Sequence, residues 1–509
     1  MANSFSSAVF TAFFSKVTIL VLSTAFTPLL VRLLGPTRYG HYAIVLSVFA
    51  IVAIFMMAGT TEAVRKYVSE RQDRDWQAAV VSYIFRPAIG IGLLGALGFF
   101  LAAWSGLAAR VFGAPFTSLF YLLGLYAIGR QLRVHILFTL MGLHLESVSE
   151  PLKVVQKVLF VVLALVLVYV GFGVEGVLIA DVVTSAFTIV VGSAFLVREL
   201  PRRSLVRAPD VSLPKEQIRT YSFNTVWFYL FLMSLYHVDV LILQHWTTDR
   251  TVGFYKGALV IAEVLWVAPL AIQLVLLQRV SQLWETGDLE TIDRRASLVT
   301  HHVFLLTALL AIGVAVLAFD LVPLYLGESF APAAIPLLVL LPGVLGFAIA
   351  RPTIAINQAR RSLRPLLLAT GASSAINLVL NVALIPQYGM VGAAVATSVG
   401  YGSLVVFQSV VARNLGYRPL AGVRWRSTIL TVAATLLVIV PLTVVLTSSL
   451  VALVVVPPVG AIVYVSAAFV TGAVTADEVE RVVDAVGLLP ERLERQLLVA
   501  VRRLARVQN

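Results

Sequence analysis

The chain contains no cysteine. Disulfides, thiol catalysis and thiolate metal sites are therefore excluded, and the absence carries no information about compartment. Charge is scarce too: Asp, Glu, Lys and Arg make up 13% of the 509 residues, against about 25% in soluble globular chains. Hydrophobic residues reach 59% and mean hydropathy +0.94. A single buried core stops growing well before this length, so the surplus apolar surface must face lipid. These numbers exclude a soluble enzyme, a disordered chain and a nucleic-acid partner. No GxxxxGKS phosphate loop, catalytic triad or metal-ligand histidine spacing is present, and the adjacent His301 and His302 point to different helix faces. The reading therefore assigns no cofactor, no metal and no enzymatic activity. Energy must come from an ion gradient, the membrane potential or downstream consumption of a cargo.

What is present is a series of long apolar runs. A helix needs about 20 such residues to cross about 30 Å of hydrocarbon, and that ruler gives fourteen candidate spans between Phe5 and Val474. Lipid-exposed backbone must satisfy its own hydrogen bonds, so the runs are read as helices even where Val, Ile and Phe dominate. The N-terminal MANSFSSAVF lacks a basic n-region and a small-residue cleavage site, so it is read as the start of the first span. The net charge is +12, and the bases alternate. Odd-to-even connections carry few, with none in four of the seven. Even-to-odd connections carry clusters such as Arg65, Lys66, Arg71 and Arg74, or Arg413, Arg418, Arg424 and Arg426. This predicts a multi-pass protein of the cell membrane with both termini cytoplasmic. After Val474, Thr475-Ala-Asp-Glu478 has the form of a capping box, and a basic amphipathic stretch follows that suits the anionic leaflet.

The two halves of the sequence resemble each other. GHYAIVL (Gly40–Leu46) is matched by GFYKGAL (Gly253–Leu259) 213 residues later, and GVEGVLIA (Gly173–Ala180) by GMVGAAVA (Gly389–Ala396) at 216. The expected fold is an all-α membrane protein of about 14 transmembrane helices, with two pseudo-symmetric six-helix lobes and two extra C-terminal helices. The domain boundaries follow: an N-terminal lobe at 1–200, a cytoplasmic linker at 201–220, a C-terminal lobe at 221–415, spans 13 and 14 at 416–474, and a tail at 475–509. An even number of spans per lobe relates the lobes by an axis along the membrane normal, an arrangement suited to alternating access.

Three motifs carry a family resemblance: RLLGPTRYGHY (Arg32–Tyr42), DVLILQHWTTDRTVGFY (Asp239–Tyr255) and NLVLNVALIPQYGMVGAAVATSVGYG (Asn377–Gly402). They resemble the polysaccharide and oligosaccharide-lipid flippases of the multidrug/oligosaccharidyl-lipid/polysaccharide exporter superfamily, over about Phe5 to Leu415. The resemblance implies flipping of a lipid-linked sugar, a polyprenyl phosphate or pyrophosphate carrier, from the cytoplasmic to the outer leaflet. It also implies membrane lipids, a possible H⁺ or Na⁺, and glycan-assembly enzymes as partners. As residues, Gly35-Pro36 and Pro386–Gly389 read simply as tight turns.

Ionisable residues deep in a membrane are costly and mark candidate sites. Helical rise places Lys16 about 17 Å into span 1, Arg86 about 12 Å into span 3 and Arg130 about 15 Å from the inner end of span 4, with Arg133 one turn nearer the cytoplasm. These four bases have no acid at similar depth in the sequence, which suits an anionic headgroup; snorkelling is the plain alternative for Arg133 and Arg86. Glu263, near mid-membrane, and Asp181 are the candidates for ion coupling, although Glu263 also suits a static pair with Lys16 or Lys256. Arg351 and Asn357 are assigned to an inner gate. Asn377 and Asn381 share a helix face and suit bonds between helices, and Asp239 suits orientation of the span 7–8 turn. A drug or cation antiporter of the same superfamily is the main rival, predicting acids facing the cavity. A membrane glycosyltransferase would need acids in an outer loop, which the LLGPTRYGH loop lacks, and a scaffold or scramblase would share the fold.

Overall fold

The computed structural model describes residues 2–200, 211–360, 364–446 and 448–478. Part of the expected linker (201–210) and most of the expected basic tail (479–509) lie outside the described residues. Among the described residues there are helices and no strands. The chain runs through α1 (Ala2–Ala53), a π turn (Ile54–Ala58), α2 (Gly59–Ser69), α3 (Arg74–Trp104), α4 (Leu107–Phe112), α5 (Phe116–Gly142) and α6 (Glu146–Leu167). A second π turn (Val168–Phe172) leads to α7 (Gly173–Glu199), α8 (Lys215–Trp246), α9 (Asp249–Val264), α10 (Val267–Thr286) and α11 (Leu289–Leu326). A 3₁₀ turn (Glu328–Ala333), α12 (Ala334–Gln358), α13 (Arg364–Asn414), α14 (Trp425–Val445) and α15 (Ser449–Val470) complete it.

By length and hydropathy, nine of the described helices can cross a bilayer, or ten if the bent pair α9–α10 forms one span. Three of the nine run 44, 54 and 51 residues, each long enough to cross twice. Each bends at glycine: Gly35 (φ 69°), Gly171 and Gly173, and Gly389. Gly173 (φ 58°, ψ −135°) and Gly389 (φ 54°, ψ −130°) adopt the same conformation, one that only glycine tolerates, at matched positions of the repeated motif.

Spanning helices carry Pro and Thr that would weaken a helix in water. Here threonine hydroxyls donate back to the carbonyl one turn earlier, as in Thr139 to His135 (2.8 Å), Thr184 to Ala180 (2.9 Å) and Thr435 to Thr431 (2.8 Å), so they need no water.

The chain forms two compact units, Met1–Gly257 with Ser374–Ala396, and Ala258–Ser373 with Thr397–Asn509. In the first unit the repeated glycines meet each other. A Cβ on Gly40 would overlap the carbonyl oxygen of Asp249, four residues before Gly253, and a Cβ on Gly253 would overlap that of Pro36, four residues before Gly40. The contact is reciprocal. His41 Nε2 lies 3.0 Å from Asp249 Oδ2 beside it. Buried Asp239 joins α8 to α9 by accepting the Tyr255 hydroxyl (2.5 Å), and Asn377 donates to Ala396 O (3.3 Å) across the limbs of α13.

In the second unit, Arg424 makes a two-point pair with Glu478 (2.7 and 3.0 Å) and also donates to Ala473 O (3.0 Å), which His301 Nε2 reaches at 2.7 Å. Glu478 Oε2 accepts the Thr475 N–H at 3.0 Å, the reciprocal half of the expected capping box. Burial alone would push the Glu478 carboxyl up; the Arg424 hydrogen bonds and the Thr475 N–H outweigh it and hold it down to about 2. A depressed carboxyl stabilises fully above its ordinary value near 4.5 and loses that contribution as pH falls towards 2. The melting-temperature advantage of the native chain over Glu478→Gln should therefore shrink as pH falls from about 4.5 towards about 2, the span separating the two values. An advantage constant over that range would break the assignment.

Candidate functional site

The first unit holds an open cavity of about 620 Å³. Its walls come from α1 and the π turn after it, from α2, α5, α6 and α7, and from α8. A π turn frees carbonyls from the helical ladder, and they must find other donors. Gln131 supplies them: its side-chain amide donates to Met56 O in the π turn (3.1 Å) and to Ala88 O on α3 (3.2 Å), while Thr61 donates to Met57 O (2.8 Å). This brace fixes the rotation of α5. Arg130 and Arg133, three apart and so on one face, both line the cavity.

The Arg130 guanidinium donates to the Tyr126 hydroxyl (2.9 Å) and sits over the rings of Phe49 and Tyr126 (5.8 and 5.7 Å). Arg133 Nη2 is 3.4 Å from Asp181 Oδ1, with side chains only 8% and 11% exposed; its buried Nε has no hydrogen-bond partner. Asp181 Oδ1 also accepts the Ser185 hydroxyl (3.1 Å). Lys157 joins them from α6, its ammonium 5.4 and 5.3 Å from the ring centres of Phe26 and Phe160, and Gln156 beside it donates to Thr184 (3.2 Å). Glu62, the second acid of the lining, is held by Arg65 (2.8 Å), and the Tyr229 hydroxyl lies 3.4 Å from it. The body of the cavity thus presents three cationic heads against Asp181, in a wall rich in Tyr and Phe. A planar guanidinium fork beside an ammonium suits phosphate oxygens, and the rings suit sugar faces.

The structure brings together two of the four bases expected to hold phosphate. Arg130 and Arg133 line the cavity; Lys16 and Arg86 do not, and both are exposed. This corrects the four-base grouping. Depth along a helix follows from the sequence, but rotation about its axis does not. Lys157 was missed, although Lys153, Gln156 and Lys157 form a polar stripe at helical spacing in the first turns of α6.

Of the ion-coupling candidates, Asp181 is in the cavity and paired with Arg133, whereas Glu263 is half-buried near the end of α9 and off the lining. The inner-gate pair lies in the second unit and is not part of this lining. Arg351 donates to Gln273 Oε1 (2.9 Å) with its guanidinium 4.5 Å from the Phe347 ring centre. Asn357 donates to Gln408 Oε1 (2.9 Å) and accepts the Tyr417 hydroxyl (2.6 Å).

Among solved structures the fold is similar to that of the lipid II flippase MurJ in an inward closed conformation, with TM-score 0.66 and 12% identity over 92% of this chain and 98% of that one. It is also similar to an inward-facing multidrug resistance MATE family transporter of the MOP superfamily (TM-score 0.60, 15% identity, 78% and 94% covered). The Vibrio cholerae MATE transporter VcmN is a third (TM-score 0.57, 16% identity, 81% and 98% covered). At these identities the likeness concerns the fold. No curated protein matches significantly by sequence. The family model described as "Polysaccharide biosynthesis protein" matches residues 29–335, more than half of the chain. This multi-span membrane protein belongs to the polysaccharide biosynthesis protein family.

Proposed function

We propose that this protein flips a lipid-linked oligosaccharide or polysaccharide precursor from the cytoplasmic to the outer leaflet of the cell membrane by alternating access, with both termini cytoplasmic. The observation that carries this reading is the trio Arg130, Arg133 and Lys157 facing Asp181 in one aromatic-walled cavity. A volume near 620 Å³ suits a headgroup, since ligand clefts run about 300–1,000 Å³. The polyprenyl chain stays in the bilayer, where it loses no hydrophobic burial.

In this mechanism the phosphate oxygens take the guanidinium forks, and the sugar lies against Tyr42, Phe49 and Phe160. As phosphate engages Arg133, Asp181 loses its partner and becomes a place for H⁺ or Na⁺. One carboxylate would then link cargo entry to ion uptake. The fold of the MATE transporters and the presence of Asp181 and Glu62 in the lining support a second reading, export of an organic cation.

Removing the protein from its cell and extracting membrane lipids separates the two. Under the flippase reading a polyprenyl-linked sugar accumulates on the cytoplasmic face, unreachable by added glycosidases until the membrane is broken. Unchanged lipid-linked sugars together with heightened sensitivity to cationic drugs would favour the exporter.

A further inference from the structure

A second set of cavities lies in the second unit, where α13 ends and α14 begins. Two hollows of about 460 and 380 Å³ share Arg413 and Arg418 in their linings. The smaller is also walled by Pro419, Leu420 and Trp425. The loop carrying the arginines is fixed by its backbone. Gly416 turns it with φ 93°, and its N–H bonds Arg413 O (3.1 Å); the Tyr417 N–H bonds Ala412 O (3.1 Å). Tyr417 is buried, with its hydroxyl on Asn357. The Arg418 N–H donates to Asp293 Oδ1 (2.5 Å), and Ser297 donates to Arg418 O (2.9 Å). The loop is thus anchored on α11 and α12 while both guanidiniums remain exposed.

The rigid backbone lowers the ordering cost of binding an anion, leaving only the two arginine side chains to be fixed. The depth of the site selects the anion. Trp425 is the first residue of α14, a 21-residue candidate span whose apolar window has mean hydropathy 2.5, so it stands at the end of an apolar run long enough to cross a bilayer. Trp425 is 41% exposed, as an interfacial tryptophan should be. A tryptophan at the end of a span suits the headgroup level, and the smaller hollow combines Arg413 and Arg418 with Leu420 and Trp425.

We propose that Arg413 and Arg418 seat the phosphate of an anionic phospholipid, with the start of its acyl chains against Leu420 and Trp425. This site shares no lining residue with the cavity of the first unit and does not depend on which cargo the protein carries.

Native mass spectrometry of the full chain released from detergent micelles tests it, with phosphatidylglycerol, phosphatidylcholine or sodium phosphate added at equal concentration. Retained phosphatidylglycerol should exceed phosphatidylcholine by about tenfold, and Arg413→Gln/Arg418→Gln should lose that excess. Each single glutamine variant keeps one guanidinium and should lose about threefold, so the test survives if the double variant fails to fold. Arg426→Gln, nearby but off both linings, should change retention by less than about twofold. Equal retention of phosphatidylcholine, full retention by the single and double variants, or an equal loss in Arg426→Gln would overturn the site. Displacement of phosphatidylglycerol by sodium phosphate would reassign it to a soluble phosphoryl anion and overturn the lipid assignment.

Discussion

Arg133→Gln is expected to destabilise the protein by about 1–3 kcal/mol and, on the proposed reading, to abolish transport, because it takes from the buried Asp181 carboxylate its ion-pair partner and leaves only the more distant Arg130 and Lys157. Most of that cost should come from the orphaned charge and little from the pair itself, since a buried ion pair spends nearly as much on desolvation as it gains by attraction. Adding Asp181→Asn should therefore recover most of the lost stability while keeping an acceptor for the Ser185 hydroxyl. On the proposed reading it should not recover transport, because the guanidinium fork that would meet the headgroup is still missing. Thermal unfolding in detergent and flipping of a fluorescent polyprenyl diphosphate sugar in vesicles read the two quantities separately. A double variant that flips at the native rate would reduce Arg133 to a structural role.

The second large effect concerns the reciprocal glycine contact. Gly40→Ala or Gly253→Ala places a methyl group on a backbone carbonyl, of Asp249 or of Pro36. A flexible side chain could swing aside; a peptide oxygen within a helix cannot. Overpacking costs about 1–3 kcal/mol even where side chains adjust, so these alanines should reach or exceed the upper end. They should also part His41 from Asp249, now at 3.0 Å. Alanine at Gly90 or Gly98, where a Cβ meets nothing within 4 Å, is the control and should be nearly neutral. Comparing melting temperatures of the four variants checks this, and native-like melting of Gly40→Ala would refute the close crossing.

Much of the fold was legible in the sequence because the bilayer imposes a coarse ruler. Long apolar runs had to be helices, and the recurring GHYAIVL and GFYKGAL motifs marked a repeat whose two glycines meet in the structure. The site was less legible. A helix with lipid on one side and protein on the other is apolar all round, so its sequence hardly shows which side faces the cavity. Lys16 and Arg86, picked out by their place along the helices, are exposed and off the lining, while Lys157 looked like an ordinary base near a helix start. The compact units were also hidden: α8, the first helix of the second sequence half, belongs to the first unit and supplies Tyr229, Met233 and His237 to the cavity. Side-chain bridges such as Gln131 to the π turn join residues 75 positions apart, which no local pattern announces.

That glutamine has a mechanical corollary. Its amide clasps Met56 O and Ala88 O one residue beyond Arg130. Any roll of α5 that swings the two guanidiniums away from a departing headgroup must also unclasp those carbonyls, at a cost of about 1–3 kcal/mol for each buried polar group left bare. On the proposed reading, release of the cargo and yielding of the bent helix beside it would be a single latch, and the bundle would not drop its load without springing that joint.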